Sequence, residues 1–105
     1  MNKRIDISDD HYIQFTTWKP DRKLNPQYKD LPDLDPCGLI MYHKTPEGKE
    51  CSGSIMFESD VAKIVFSNQP VWTVESLEPL TLSPSLLCVA CKDHGYIREG
   101  KWVKV

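Results

Sequence analysis

The sequence predicts a mainly β fold: a small antiparallel β domain of hairpins with at most one short helix, stapled by a zinc-type Cys/His site. Three observations carry this expectation. Short runs of aromatic and β-branched residues recur with turn residues between them, Thr45-Pro46-Glu47-Gly48-Lys49 has the chemistry of a hairpin loop, and Cys88 and Cys91 have the spacing of a metal-binding pair.

A chain of 105 residues is one domain, 1–105, with a core modest enough that a staple is worth looking for. Hydrophobic residues make up 40% and charged residues 27%, and the net charge of −2 gives no global basic field for nucleic acid or an anionic membrane. The start, Met1-Asn2-Lys3-Arg4, lacks the apolar core of a signal peptide, and no apolar run reaches the length of a membrane span. The expectation is a cytosolic protein with no membrane role. In a reducing compartment its four cysteines read as metal ligands or buried thiols rather than two disulfides.

Tyr12 to Trp18 reads as a strand with Ile13, Phe15 and Thr17 on one face. Lys19 to Pro36 carries Pro20, Pro26, Pro32 and Pro36, so it can neither sustain a helix nor supply the amide donors of a central strand. Residues 19–36 are therefore expected to form a proline-rich loop or arm pinned by Leu24, Tyr28, Leu31 and Leu34, and 37–105 the zinc-stapled β core. Gly38 to Glu58 is a hairpin, with Pro46 preset for a type I turn and Gly48 supplying the left-handed residue after it. If Thr45 closes against Lys49, then His43 faces Cys51, Met41 faces Gly53 and Leu39 faces Ile55, all on the inward side with Phe57. Tyr42, Lys44, Glu50, Ser52 and Ser54 take the outer side.

Ser59 and Asp60 read as a helix cap before Val61, Ile64 and Val65. Val71–Val74 and Pro79–Leu82 read as strands, the second ended by Ser83-Pro84. Tyr96–Arg98 and Lys101–Val103 flank a tight Glu99-Gly100 turn. The expected core is Ile13, Phe15, Leu39, Met41, Ile55, Phe57, Val65, Trp72, Leu82, Leu86 and Ile97.

The thiolates of Cys88 and Cys91 can grip one metal ion through a tight turn. His94 follows three residues later, and Gly95 is expected to free the backbone to turn into the last hairpin. The hairpin register nominates Cys51 or His43 as the remaining ligand, tying the middle of the chain to its C-terminal part. Cys37, beside Pro36, reads as an ordinary thiol. Nothing forms a hydrolase signature: Asp93 lies beside the cysteine pair and His11 far from it in sequence, and a Cys91/His94 nucleophile pair has no oxyanion hole in view. Lys92, Arg98, Lys101 and Lys104 around Tyr96 and Trp102 offer a small basic, stacking surface for single-stranded nucleic acid, interrupted by Asp93 and Glu99.

The segment from Leu77 through Leu86-Leu87-Cys88, followed by Cys91, His94-Gly95-Tyr96-Ile97-Arg98 and Gly100-Lys101-Trp102, resembles a family of small bacteriophage proteins with a domain of unknown function. The resemblance extends back through Gly38–Phe57, on His43, Gly48 and Cys51 through Ser54, and covers the C-terminal two thirds of the chain. It implies a phage-encoded protein acting in the host cytoplasm, with no assigned reaction. His43, Cys51, Cys88, Cys91 and His94 are then five metal candidates for a four-ligand zinc site. The functional expectation is a non-enzymatic accessory protein that binds a host bacterial protein, such as a defence effector or part of the transcription machinery. The alternatives are a zinc-knuckle-like nucleic-acid-binding module and a metal-dependent hydrolase.

Overall fold

Alternating apolar and polar residues turn into strands through about half of the chain. A computed structural model describes residues 3–105. Met1 and Asn2, part of the expectation about a signal peptide, lie outside the described residues. In chain order the elements are β1 (Ile5–Asp6), β2 (His11–Trp18), β3 (Leu34–Lys44), β4 (Glu50–Phe57), α1 (Asp60–Val65), β5 (Val71–Leu77), β6 (Leu80–Ser83), β7 (Leu86–Leu87), β8 (His94–Arg98) and β9 (Lys101–Lys104). β1 to β6 form one six-stranded sheet in sequence order, and β7-β8-β9 form a second. The fold is the mainly β, antiparallel one that the sequence predicts.

The β3–β4 hairpin has the register expected from its turn: His43 opposite Cys51, Met41 opposite Gly53, Leu39 opposite Ile55. Thr45 N–H donates to the Lys49 carbonyl at 2.8 Å, Gly48 N–H donates to the Thr45 carbonyl at 2.9 Å, and Gly48 sits at φ +82°. The residue type at the turn thus decides which side chains reach the interior.

The boundary between the proline-rich arm and the sheet differs from the sequence reading. β3 begins at Leu34 and contains Pro36, although it lies between β2 and β4. The β2–β3 register shifts between Thr16 and Trp18, so Asp35, Pro36 and Cys37 together oppose Thr17; the ladder is interrupted where the proline lacks its donor. The same irregularity leaves Thr17 exposed rather than on the inner face with Ile13. The arm is folded mainly on Arg22, whose guanidinium donates to the carbonyls of Tyr28 and Leu31 and to the Asp33 carboxylate, and a 3-10 turn spans Pro26–Tyr28. Leu24 pins nothing and is 79% exposed.

The pairing of β4 with β5 is parallel and brief, Met56 with Val71 and Phe57 with Trp72. A parallel pair needs a crossover, which α1 provides. Ser59 caps this helix, its hydroxyl accepting from Ala62 N–H at 3.0 Å, and Val61 and Ala62 face inward. Val65 is only half-buried and falls outside the core cluster. That cluster holds Ile13, Leu39, Met41, Phe57, Leu82, Leu86 and Ile97 as expected, and adds Ile7 and Leu80, with Phe15, Ile55 and Trp72 packed against it.

The C-terminal hairpin draws the two edges of the large sheet together. Gly100 N–H donates to the Leu80 carbonyl on β6 and Trp102 N–H to the Ile7 carbonyl just after β1, each at 2.8 Å. One hairpin can reach both only if the sheet curls, so the apolar faces of β2, β3 and β6 enclose the core. Glu99 and Gly100 both have positive φ, 51° and 76°, the pattern of a two-residue turn matched to strand twist.

Candidate metal centre

His43 projects inward from β3 and Cys51 from the facing position of β4. Cys88 and Cys91 lie in the turn between β7 and β8. There Lys92 N–H donates to the Cys88 carbonyl and Cys88 N–H to the Asp93 carbonyl, both at 2.7 Å, with Lys92 in the left-handed region at φ 66°. This double closure folds the Cys-x-x-Cys segment back over the hairpin. One nitrogen of His43 and the sulfurs of Cys51, Cys88 and Cys91 all lie within 4.8 Å of one another, and His43 Nε2 is 2.8 Å from Cys91 Sγ. A tetrahedron with bonds of about 2.3 Å has edges of roughly 3.8 Å, so seating an ion among these four needs any wider separations to close and the His43–Cys91 pair to open by about 1 Å. The cluster could hold a metal ion.

Of the five sequence-predicted ligands, the structure gathers four. His94 is turned away: its Nε2 lies 2.7 Å from the Ser85 hydroxyl, outside the cluster. As the first residue of β8, it pairs with Leu87, and the strand's direction carries its ring away from the turn that holds the cysteines. Cys37 is buried beside Thr16, with Sγ 3.3 Å from the threonine hydroxyl, and joins nothing.

The thiols bear the marks of crowding. Burial pushes Cys91 up, to about 11, and the neighbouring Cys88 and Cys51 sulfurs add to it. Cys88 moves the other way, held below its ordinary value by the backbone N–H of Cys91, with side-chain bonds to Cys91 and Cys51 helping. Three sulfurs this close cannot share negative charge cheaply unless a positive ion sits between them. His43 is 3% exposed and its Nδ1 has no hydrogen-bond partner, the single buried side-chain nitrogen or oxygen so left among the described residues.

A second constellation adjoins the first. His11 pairs with His43 across β2 and β3, and its Nε2 lies 2.5 Å from the Asp93 carboxylate, which is itself 4.0 Å from His43 Nε2. His11 Nδ1 is held between the Ser8 hydroxyl at 2.8 Å and the Asp10 carboxylate at 2.7 Å. The rings stack in series: Trp102 on His11 with centroids 4.5 Å apart, and His11 on His43 at 5.3 Å, each within about 20° of parallel. Gly95 makes room for this stack, since a Cβ there would come 2.6 Å from the Trp102 ring. Its purpose is that close approach rather than a left-handed turn, because its φ is not positive. Sequence spacing does not bring His11 and Asp93 together: the antiparallel register sets His11 opposite His43, and the turn that carries Cys88 and Cys91 then delivers Asp93 to His11.

Tyr96 and Arg98 are stacked on each other, with the guanidinium 4.4 Å from the ring centre. One face of Trp102 lies on His11, so the stacking surface read from the sequence is partly occupied from within. Among the described residues no helix is long and apolar enough to cross a membrane. Comparisons of the chain with protein-family models, with curated proteins and with solved structures found no match.

Proposed function

We propose that His43, Cys51, Cys88 and Cys91 hold a structural zinc ion, and that the domain so fastened is a non-enzymatic protein that binds and modulates another protein. The observation that carries the metal reading is the convergence of three sulfurs and one imidazole nitrogen from two distant parts of the chain. Three thiolates and an imidazole suit zinc, and four protein ligands complete a tetrahedron without a position for water. A catalytic zinc keeps such a position open, so the donor set favours a holding role over hydrolysis.

The partner reading follows from what remains when the site is structural: function moves to the surface. The resemblance of Gly38–Phe57 and Leu77–Trp102 to small phage proteins supports a bacteriophage accessory protein acting on a host protein in the host cytoplasm, where thiolate sites survive. The test begins with elemental analysis of untagged protein purified without chelators, for which one zinc per chain is expected. Replacement by cobalt should give the visible absorption of a tetrahedral, thiolate-rich site. Absence of stoichiometric metal from freshly purified protein overturns the metal reading. Affinity capture from a bacterial lysate tests the partner reading, and failure of the wild-type protein to enrich any host protein counts against it.

A further inference from the structure

We propose that the apolar cavity at the open end of the curled sheet is a docking site for an extended segment of a partner protein, one that presents a bulky apolar side chain flanked by lysine or arginine. The proposal rests on the reading of the domain as a binder of another protein and specifies the surface and the chemistry of that contact.

The cavity measures about 470 Å³, within the range of about 300–1,000 Å³ typical of ligand pockets. Ile7, Ile13 and Leu80 from the core line its depth, and Ile5, Phe15 and Leu77 line it further out. Ile5 and Leu77 are among the large apolar side chains left exposed, at 39% and 49%. Two lining residues carry charge, Asp35 and Glu78, and both are exposed carboxylates. Neither has an ion-pair partner among the described residues; Arg4, next to the lining Ile5 in sequence, is engaged by Asp6 at 2.9 Å and lies over the Tyr12 ring. An apolar hollow rimmed by unpaired negative charge is complementary to an apolar group with cations beside it.

Its place in the fold argues for a polypeptide. β1 ends the six-stranded sheet, so among the described residues no strand pairs with its outer edge at Ile5 and Asp6. One step further along, the same seam is already closed by the C-terminal hairpin, through Trp102 to Ile7 and Gly100 to Leu80. Gly100 also lines the cavity. The chain's own hairpin fills one half of the gap between the two sheet edges, and an extended segment entering beside it would continue that closure by strand addition.

The probe is a pentapeptide with phenylalanine at the centre, valine on either side and lysine at both ends, blocked at its termini. It is titrated into the full-length, metal-loaded protein and followed by amide chemical shifts. Expected are shifts concentrated at Ile5, Phe15, Leu77 and Gly100, and affinity about tenfold weaker in the Asp35→Asn, Glu78→Gln double variant. A matching peptide with glutamate at both ends should bind at least as poorly. Equal affinity for the two peptides, shifts centred on another groove such as the one over Gly53, or no binding at millimolar peptide overturns the proposal. Both substitutions lie on exposed side chains, and an unchanged amide spectrum verifies folding. Capture from lysate keeps the two readings apart. A host protein retained equally by wild type and double variant preserves the partner reading and removes this site from it, whereas no captured protein removes the partner reading and leaves the peptide titration to decide the pocket.

Discussion

Removing the metal from the His43/Cys51/Cys88/Cys91 site should lower the melting temperature by an amount set by two quantities. The first is linkage: at free zinc a hundredfold above its dissociation constant, binding to the folded chain alone adds about 2.7 kcal/mol. The second is the unfolding entropy, about 0.22 kcal/mol/K for 105 residues, so each kcal/mol is worth about 4.5 °C. Chelation should therefore cost about 12 °C under those conditions, and more as zinc rises. The structure sharpens this into a pattern. Cys88→Ser should lose both the ion and the shift, since its sulfur is one of the four that converge. His94→Ala should keep both, because that ring rests on Ser85. The assay is thermal unfolding by circular dichroism with and without a strong chelator, paired with metal analysis of each variant. A wild-type melt that moves by less than about 2 °C on chelation refutes the staple, and a His94→Ala variant that loses its zinc as Cys88→Ser does refutes the assignment of ligands.

The metal-free chain should lose stability as pH rises from about 9 toward 11. Cys91 has its folded value raised to about 11, so its contribution is intact below the unfolded value near 9 and disappears as pH passes the folded one. Melts of metal-free wild type against Cys91→Ser should show the extra loss in the wild type alone. His11→Ala removes the stack under Trp102 and leaves the Asp93 carboxylate without its partner. A loss of about 3 kcal/mol, near 14 °C, is expected in the same assay. Gly38→Ala and Gly53→Ala should part company. A Cβ at Gly38 would collide with the Ile55 backbone carbonyl, for a loss of about 3 kcal/mol, whereas at Gly53 it meets open space and should gain about 0.5–1 kcal/mol. Denaturant titration of both variants checks the contrast, and equal effects would show that the β3–β4 packing is misjudged.

The hairpin from Gly38 to Glu58 was fully legible because two independent signals agree on it. Pro46 and Gly48 specify the turn, and a period of two then decides which side chains face inward, which sets His43 opposite Cys51. The spacing of Cys88 and Cys91 likewise marks a turn able to aim two sulfurs at one point. His94 shares that neighbourhood in sequence, but the start of β8 turns its ring toward Ser85, and nothing in the spacing encodes where a strand begins. His11 and Asp93 were invisible as a pair, because their meeting depends on β2 lying against β3 and on the fold of the Cys88–Asp93 turn together. Pro36 misled for a related reason: the rule that bars proline from central strands holds for a regular ladder, and here a register shift removes the demand for its donor. The curl of the sheet was beyond reach because it rests on two backbone bonds, from Gly100 and Trp102, which carry no side-chain signature.

The split of the four candidate ligands between two distant stretches has a consequence for how the chain is made. On a ribosome, His43 and Cys51 emerge first, and at about 5–20 residues per second roughly 2–7 s pass before Cys88 follows. Through that interval the first hairpin carries an imidazole and a thiol on the side meant for the interior, with nothing to meet them. Trp102, which covers His11, comes later still. Newborn chains would thus be vulnerable to oxidants and to stray metals until Cys88 and Cys91 arrive, and an ion bound at the completed cluster would act as the latch that ends the exposure.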